Sequence, residues 1–393
     1  MSRRAALIVL DGLGIGPARD TAAYGDQGSD TLGNVLRAPE ARASGSGFPN
    51  LAACGLGNCA ELRGIPPTPA PRCAYGTAEP TSPGKDSTTG HWELCGIVLE
   101  QPFPTFPNGF PAELIGEFSR RTGRGVLGNK PASGTTIIQD LGAEHQRTGS
   151  WIVYTSADSV FQVASHEETV PVPELYAGCE VARELLTGPL GVSRVIARPF
   201  RGKAGSWSRT AARKDFSLAP PAETLLDLLE QAGVPRVGVG KVDDLFAGRG
   251  ISSTHTPTNA DAYRMIREGL ARMSAGLLFA NVIEFDQSWG HRNDVPGFLA
   301  GLEELDATLP ALLESVQADD LVIFTADHGN DPTTRSTDHS RERVPLLVYG
   351  PKVRPVRLGD RATFADIGQT IAEFLGVGAL PAGRSFLREV WCG

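Results

Sequence analysis

The sequence predicts an α/β protein in which a mostly parallel, doubly wound sheet carries a smaller, inserted α/β cap domain. Three observations support this prediction: three apolar segments each run into an aspartate, helical patterns separate the later segments, and the middle of the chain lacks this arrangement. Parallel strands that are buried on both faces have nearly continuous apolar sequences. In open α/β sheets the ligand site lies at the carboxyl ends of the strands.

The three apolar segments are the first elements of the prediction. Each is rich in aliphatic residues and ends directly before a carboxylate: residues 5–10 before Asp11, residues 277–285 before Asp286, and residues 320–326 before Asp327. Because parallel strands present their carboxyl ends at one edge of a sheet, we expect the three aspartates to lie close together. The segments are therefore predicted to belong to one parallel sheet.

Helices and a cap complete the domain prediction. Apolar residues at helical spacing predict core helices over 222–232, 260–275 and 295–316. The turn-rich middle of the chain is predicted to hold a helix over 113–121 and strands over 150–154 and 193–197. We therefore expect a core domain formed by residues 1–100 and 217–393, with a cap domain of residues 101–216 inserted between its two parts.

Composition and charge limit the partners of the chain. The 37 basic and 45 acidic residues give a net charge of −8, which offers no broad basic surface for nucleic acid or a membrane. A small molecule is therefore the expected partner, and no feature of the sequence indicates an oligomeric state. The six cysteines include no CxxC pair, which favours reduced thiols and a cytoplasmic protein. The apolar run before Asp11 is too short for a signal peptide or a membrane span.

Two short stretches near the C-terminus carry most of the metal-ligand side chains. Asp286 and His291 form one stretch, and Asp327, His328 and His339 form the other. Imidazole and carboxylate without nearby thiolate suit ions such as Mn²⁺ or Zn²⁺. The spacing allows Asp286 and His291 to share an ion, whereas the adjacent Asp327 and His328 should point in different directions unless the loop is kinked. Together with Asp11, these residues predict a two-metal site for phosphoryl transfer.

Ser87 is the candidate nucleophile. It lies in the turn Gly84-Lys85-Asp86-Ser87-Thr88-Thr89-Gly90-His91-Trp92-Glu93, whose backbone N–H groups could hold phosphate oxygens. A hydroxyl is a weak nucleophile at neutral pH, and a nearby metal ion is one way to activate it. The alternative is that this turn only caps a helix. The metal-ligand residues elsewhere in the chain favour the nucleophile.

The other histidines are weaker candidates. His145 and His166 lie in charged segments of the cap and should be solvent-facing or structural. His255 could contact substrate, although a structural role is the simpler expectation, and His91 should pack beneath the Ser87 turn. Basic residues are concentrated between positions 194 and 214; most should form a solvated surface, and two or three should reach a bound phosphate.

Several longer segments match a known family in their order along the chain. They are 84–93 (quoted above), Pro-Asn-Gly-Phe-Pro at 107–111, Gly-Asn-Lys-Pro-Ala-Ser-Gly-Thr at 128–135, Tyr-Thr-Ser-Ala-Asp-Ser-Val at 154–160, Ile-Ala-Arg-Pro-Phe at 196–200 and Thr-Ala-Asp-His-Gly-Asn-Asp-Pro at 325–332. On these segments the chain resembles the prokaryotic, metal-dependent phosphopentomutases of the alkaline phosphatase superfamily. The resemblance extends over nearly the whole chain and implies an alkaline-phosphatase-like core.

The resemblance also implies an activity. The family interconverts ribose 1-phosphate and ribose 5-phosphate, and the deoxyribose pair, with two Mn²⁺ ions, a phosphorylated hydroxyl residue and a bisphosphorylated sugar as activator. Matched by motif, Asp286, His291 and His339 would hold one ion; Asp11, Asp327 and His328 would hold the other; and Ser87 would carry the phosphoryl group. The residues that match the substrate-binding set are Ser156, Asp158, Arg194, Arg209 and Lys241.

The chain departs from the family pattern at four positions. Ser87 replaces the usual threonine, and near the metal loop Glu284, Trp289 and Asn293 replace the commoner aspartate, tyrosine and arginine. We expect these changes to affect which sugar the protein prefers, and not which type of reaction it catalyses. Alternatives are a mutase for another phosphosugar and a phosphatase of the same superfamily, in which water would replace the acceptor sugar. A metal-dependent phosphoglycerate mutase and a binding protein without catalysis are more distant alternatives.

Overall fold

The computed structural model of the protein describes residues 3–44, 47–156 and 159–393. The chain divides into two compact units, one formed by Met1–Gln101 with Pro220–Gly393 and the other by Pro102–Ala219. Asp158, one of the residues that the family resemblance assigns to substrate binding, lies outside the described residues.

Within these ranges the structure has fourteen strands and fourteen α-helices. The strands are β1 (Arg4–Leu10), β2 (Ala74–Ala78), β3 (Val126–Pro131), β4 (Trp151–Thr155), β5 (Val160–His166), β6 (Arg194–Arg201), β7 (Ser208–Arg209), β8 (Lys214–Ser217), β9 (Arg236–Val239), β10 (Ser253–Thr254), β11 (Gly276–Val282), β12 (Asp320–Thr325), β13 (Val344–Tyr349) and β14 (Arg357–Arg361). The helices are α1 (Thr31–Arg37), α2 (Pro39–Ser44), α3 (Pro49–Cys54), α4 (Leu56–Cys59), α5 (Ser87–Leu94), α6 (Ala112–Thr122), α7 (Gly134–Thr148), α8 (Val172–Leu185), α9 (Leu225–Gln231), α10 (Val242–Leu245), α11 (Asn259–Arg272), α12 (Val295–Glu314), α13 (Ala365–Leu375) and α14 (Leu387–Val390).

The larger unit is built on a mostly parallel sheet, as predicted. Its strand order is β10-β9-β11-β1-β12-β13-β2-β14, and β13 alone among these described strands runs against its neighbours. The central strand β1 is parallel to β11 and β12, with Leu10 paired with Val282 and Val9 with Thr325. The carboxyl ends of these three strands therefore lie at one edge of the sheet, where the site residues follow them.

The register of β1 against β12 is fixed at the opposite edge. Arg4 and Asp320 are register partners, and the Arg4 Nε donates to Oδ1 of Asp320 over 2.8 Å. Both side chains are buried, so breaking the pair would leave an uncompensated charge in the core.

The three predicted core helices are present as α9, α11 and α12. Each begins at a side-chain cap: Thr224 accepts from the backbone of Asp227, Thr258 from that of Asp261, and Asp294 from that of Gly297. Such caps satisfy backbone N–H groups that have no partner within the helix. They explain why α9 begins three residues after the predicted start at position 222.

The strand that leads to Asp286 is shorter than predicted. It ends at Val282, and Phe285–Trp289 form a π-helical turn that contains Asp286. The chain leaves the sheet because the backbone N–H of Glu284 donates to Oδ1 of Asn259 over 3.0 Å, and its carboxylate accepts from the N–H of Asn259 over 2.6 Å. Asp286 is thus displaced beyond the strand end, unlike Asp11.

The smaller unit has its own sheet and two apolar cores. Its strand order is β3-β4-β5-β6-β7, with β8 also paired with β6. One core contains Phe118 of α6 and Leu175 of α8, and the other contains Ile137 of α7. The predicted helix over 113–121 and the strands that begin near 150 and 193 are present as α6, β4 and β6.

His145 and His166 are buried in this smaller unit, so the solvent-facing alternative for them is wrong. His145 accepts from the backbone N–H of His166 over 2.8 Å, and its other ring nitrogen lies 2.6 Å from the Ser150 carbonyl. Both rings also pack on Phe200. Their role is structural.

Among the described helices of the whole chain, none is long and apolar enough to cross a membrane.

Candidate active site

The carboxyl edge of the large sheet brings together two groups of metal-ligand side chains. The Asp286 cluster consists of Asp286, His291 and His339, and the Asp11 cluster consists of Asp11, Asp327 and His328. Within each cluster, one ligand atom per residue lies within 4.8 Å of the others. All six residues were singled out from the sequence, and the structure groups them in the two sets that the family resemblance implies.

In the Asp286 cluster both histidines face the same carboxylate. Nε2 of His291 lies 3.4 Å from Oδ2 of Asp286, and Nε2 of His339 lies 3.2 Å from Oδ1. Nδ1 of His291 is 2.6 Å from the carbonyl of Thr337, which orients the ring with Nε2 toward the aspartate. A histidine ligand is commonly oriented in this way by a partner on its second nitrogen.

The Asp11 cluster is more deeply buried. Nε2 of His328 lies 3.3 Å from Oδ1 of Asp11 and 3.4 Å from Oδ2 of Asp327. The backbone N–H of Gly12 donates to Oδ1 of Asp327 over 3.2 Å. Asp327 and His328 were expected to point in different directions unless the loop is kinked. They converge, because β12 ends at Thr325 and the chain bends at Asp327 and His328.

Ser87 is the first residue of α5 and lies beside the Asp11 cluster. Its Oγ is 3.0 Å from Nε2 of His328 and 3.5 Å from Oδ1 of Asp11. The capping role belongs to Asp86, whose side chain accepts from the backbone N–H of Thr89 over 3.1 Å. The helix cap that was the alternative explanation for this turn is therefore present, but it leaves the Ser87 hydroxyl directed at the cluster.

A close approach between two backbones holds α5 in this position. A Cβ on Gly90 would lie 2.2 Å from the carbonyl oxygen of Asp327, so a larger residue would push the helix away. His91, one turn after Ser87, is fully buried and lies beneath the turn, as predicted. Its Nδ1 is 2.9 Å from the Ser87 carbonyl and 3.1 Å from Oδ2 of Asp327.

Two asparagines that bind carboxylates of the clusters were not predicted from the sequence. Nδ2 of Asn281 donates to Oδ2 of Asp11 over 2.9 Å, and Nδ2 of Asn330 donates to Oδ1 of Asp286 over 2.6 Å. Asn281 is a polar residue inside the apolar strand β11, which is a signal that could have been noticed. Asn330 follows His328 by two positions and carries no comparable signal.

The electrostatics of the buried clusters favour bound cations. Burial raises the pKa of Asp11, and the nearby carboxylates of Asp327 and Asp286 raise it further. Burial also opposes ionisation of Asp286, but His339 and His291 hold its pKa well below the usual range. Burial works against the charged form of His328, yet Asp327 and Asp11 raise its pKa well above the usual value. Three carboxylates in one buried region thus require positive charge nearby.

Besides the electrostatics, the hydrogen bonding of the buried ligand atoms also favours bound metal ions. Among the described residues, Oδ2 of Asp327 and Nε2 of His339 are buried and make no hydrogen bond of good geometry, although Nδ1 of His91 lies 3.1 Å from the first and Oδ1 of Asp286 lies 3.2 Å from the second. An unpaired buried polar group costs about 1–3 kcal/mol. One such atom belongs to each cluster, and both are of the type that coordinates Mn²⁺ or Zn²⁺. The two clusters could therefore each hold one divalent ion.

The residues matched to substrate binding are divided between the units. Ser156 follows β4 and is half-buried, Arg194 begins β6 and lies 3.5 Å from Asp215, and Arg209 ends β7. All three belong to the smaller unit. Lys241 belongs to the larger unit, where its Nζ donates to Oε1 of Gln287, the residue after Asp286.

Sequence comparison identifies the relatives of this chain. A phosphopentomutase from Anaeromyxobacter sp. (strain K) is 55% identical over 392 residues, which cover 99% of this chain and 100% of the relative. A phosphopentomutase from Caldanaerobacter subterraneus subsp. tengcongensis is 50% identical over 392 residues, covering 99% and 98%. The chain belongs to the phosphopentomutase family. It is therefore an enzyme of that family, as the sequence motifs predicted.

Broader comparisons agree with this membership. A model of the metalloenzyme superfamily matches residues 3–379. A phosphoglycerate mutase of Leishmania mexicana has the same fold, with a TM-score of 0.50 and 14% sequence identity over 100% of this chain and 98% of the other. The predicted alkaline-phosphatase-like α/β fold is confirmed.

Three of the departures from the phosphopentomutase pattern have local explanations. Trp289 packs on α12, where a Cβ on Gly301 would lie 2.2 Å from the indole. Asn293 has a φ of 52°, a conformation that asparagine tolerates better than arginine, and its side chain bonds the Ser336 carbonyl over 3.2 Å. Glu284 makes the reciprocal contact with α11 described above. Each residue supports the loop around Asp286.

Proposed function

We propose that this enzyme interconverts ribose 1-phosphate and ribose 5-phosphate, and the corresponding deoxyribose phosphates. The observation that carries the proposal is the position of the Ser87 hydroxyl, whose Oγ lies 3.0 Å from Nε2 of His328. It is supported by the 55% identity of the chain to a phosphopentomutase. A hydroxyl beside a cluster of metal-ligand side chains is the arrangement that phosphoryl transfer through the protein requires.

The proposed cofactors are two divalent ions, with Mn²⁺ the expected species. Asp286, His291 and His339 would hold one ion, and Asp11, Asp327 and His328 the other. When bound, the ions would neutralise charge on the phosphoryl oxygens and lower the pKa of the attacking hydroxyl. Oδ2 of Asp327 and Nε2 of His339, which are buried and make no hydrogen bond of good geometry, support this assignment.

The proposed reaction passes through phosphorylated Ser87 and a bisphosphorylated sugar. Phosphoserine transfers its phosphoryl group to the free hydroxyl of the sugar monophosphate: the Oγ–P bond breaks, an O–P bond to the sugar forms, and the proton of the sugar hydroxyl ends on Oγ of Ser87. The bisphosphate then gives its other phosphoryl group to Ser87: that O–P bond to the sugar breaks, an Oγ–P bond forms, and the serine proton ends on the sugar oxygen, which restores the phosphoenzyme. Because Ser87 is the first residue of α5, the helix N-terminus would favour the negative charge of a phosphoserine at this position. A trace of bisphosphorylated sugar would phosphorylate Ser87 initially.

The proposed substrate-binding residues are Ser156, Asp158, Arg194, Arg209 and Lys241. Guanidinium groups bind phosphate through paired N–H donors, and short polar side chains suit sugar hydroxyls. The match of these positions to the family motifs supports the assignment. We further propose a cytoplasmic enzyme without nucleic-acid or membrane partners, which is consistent with the six free cysteines and the net charge of −8.

The test is ³¹P NMR of purified enzyme with Mn²⁺, α-ribose 1-phosphate and a trace of ribose 1,5-bisphosphate. Formation of ribose 5-phosphate without free phosphate is the expected result. Release of inorganic phosphate would instead support a phosphatase. No reaction of ribose 1-phosphate, with turnover of a different phosphosugar, would support a paralogous mutase.

A further inference from the structure

Asn330 connects the segments that carry the two clusters. It follows His328 of the Asp11 cluster by two residues, yet its side chain contacts the Asp286 cluster, where Nδ2 donates to Oδ1 of Asp286 over 2.6 Å. The residue is fully buried. It therefore links Asp286 to the loop that carries Asp327 and His328, two members of the Asp11 cluster.

The backbone of Asn330 is anchored on the Asp11 side. Its N–H lies 2.9 Å from the carbonyl of Gly12, the residue after Asp11, and 3.1 Å from Oγ1 of Thr31. Glycines close on the side chain from two directions: a Cβ on Gly12 would lie 3.2 Å from Cβ of Asn330, and one on Gly290 would lie 2.5 Å from its Cγ. This enclosure leaves little freedom for the carboxamide.

The chemistry of the pocket explains why an amide suits this position. Asp286 needs a donor that fixes its carboxylate while both histidines approach it, and the region already contains the carboxylates of Asp11 and Asp327. A neutral amide donates without adding charge. Oδ1 of Asn330 has no hydrogen-bond partner among the described residues, so the contact with Asp286 is the bond that holds the amide.

We propose that Asn330 is a positioning residue that orients the Asp286 carboxylate and thereby sets the affinity of the Asp286 cluster for its metal ion. The inference rests on the proposed two-ion site. It predicts an effect on one ion, because Asn330 makes its side-chain bond to Asp286 and not to a member of the Asp11 cluster.

The test is calorimetric titration of metal-stripped protein with Mn²⁺. The wild type should bind two ions. Asn330→Ser removes the amide and should weaken one of them about tenfold or more, as loss of a partner behind a metal ligand commonly does. The second ion should bind as in the wild type. In a His291→Ala background, where the Asp286 cluster is already damaged, Asn330→Ser should cause no further change in the remaining ion.

Asn34→Ser is the matched control. Nδ2 of Asn34 donates to Oδ2 of Asp331 over 2.6 Å, so the same substitution removes the same kind of bond from a carboxylate outside both clusters. This variant should bind both ions like the wild type. Asn330→Leu, which keeps the branched shape of the side chain but is larger and has no polar atoms, gives a second variant in case Asn330→Ser is unstable, and thermal melting of the metal-free proteins shows whether each is folded.

Wild-type affinity for both ions in folded Asn330→Ser and Asn330→Leu would overturn the inference, and so would equal weakening of both ions. The readout is independent of the reaction. If the enzyme failed to act on ribose 1-phosphate but the Asn330 variants lost one ion selectively, the proposed function would fail while this inference would stand.

Discussion

Oγ of Ser87 and Nε2 of His328 lie 3.0 Å apart, although 241 positions separate the two residues along the chain. The contact depends on α5, whose Gly90 packs directly against the backbone of Asp327. Ser87 occupies the position of the family's usual threonine and keeps the hydroxyl oxygen that the proposed phosphoryl transfer needs. The missing methyl group removes no polar contact.

Replacing Ser87 by alanine should lower mutase turnover by at least about a thousandfold, because it removes the proposed phosphoryl carrier. Bound Mn²⁺ should remain, since Ser87 belongs to neither cluster. Turnover is measured by ³¹P NMR and metal content by mass spectrometry.

Ser87→Thr should retain activity, and Thr88→Val should also remain active because Thr88 is buried. Full turnover of Ser87→Ala would exclude Ser87 as the carrier.

Replacing Asp327 by asparagine should weaken Mn²⁺ binding, because it removes an anionic ligand from the Asp11 cluster. Calorimetric titration of the metal-stripped variant measures the affinity. Asp306→Asn serves as control: Asp306 is also buried, but it accepts from the backbone of Leu51 over 2.7 Å, away from both clusters. The control should lose stability and retain both ions. Unchanged affinity in Asp327→Asn would contradict the assignment of this ligand.

Replacing Arg209 by alanine should raise KM for ribose 1-phosphate more than it lowers kcat, because a lost phosphate contact weakens substrate binding. Steady-state kinetics with a coupled assay separates the two constants. Arg201→Ala is the matched control in the same unit, since exposed Arg201 pairs with Glu167. We expect the control to leave KM unchanged. An identical KM for wild type and Arg209→Ala would remove Arg209 from the substrate-binding set.

The stability of the metal-free protein should depend on Glu342 near neutral pH. Burial raises the pKa of Glu342 from its usual 4.5 to about 7, against the opposing effect of hydrogen bonds from Thr31 and Ser340. The folded state therefore prefers the protonated acid. The associated stabilisation is present below about pH 4.5 and is lost as the pH rises through 7, by about 3 kcal/mol in total.

Glu342→Gln, which cannot ionise, isolates this effect. Urea unfolding between pH 5 and 8 should show the wild type losing stability relative to the variant as the pH rises. Parallel stability curves for the two proteins would show that Glu342 does not titrate in this range.

Much of the site was predictable because its signals are local. Asp11 and Asp327 each follow a buried apolar strand, and parallel pairing brings such strand ends to one edge. The convergence of Asp327 and His328 was harder to foresee, since it depends on how the chain turns after β12. The position of Asp286 was missed for a similar reason: the bonds between Glu284 and Asn259 draw the chain out of the sheet three residues earlier than its apolar pattern indicates.

The sequence by itself determined the α/β class and the family, and it singled out the six candidate metal-ligand residues and the candidate nucleophile, because these follow from residue types, periodicity and ordered motifs. The tertiary structure alone decided which atoms face each other. Asn330 and Asp286 are 44 positions apart, and no local pattern relates them. Their hydrogen bond exists because Gly12 and Gly290 let separate loops approach closely, and a contact of that kind depends on the packing of the whole unit.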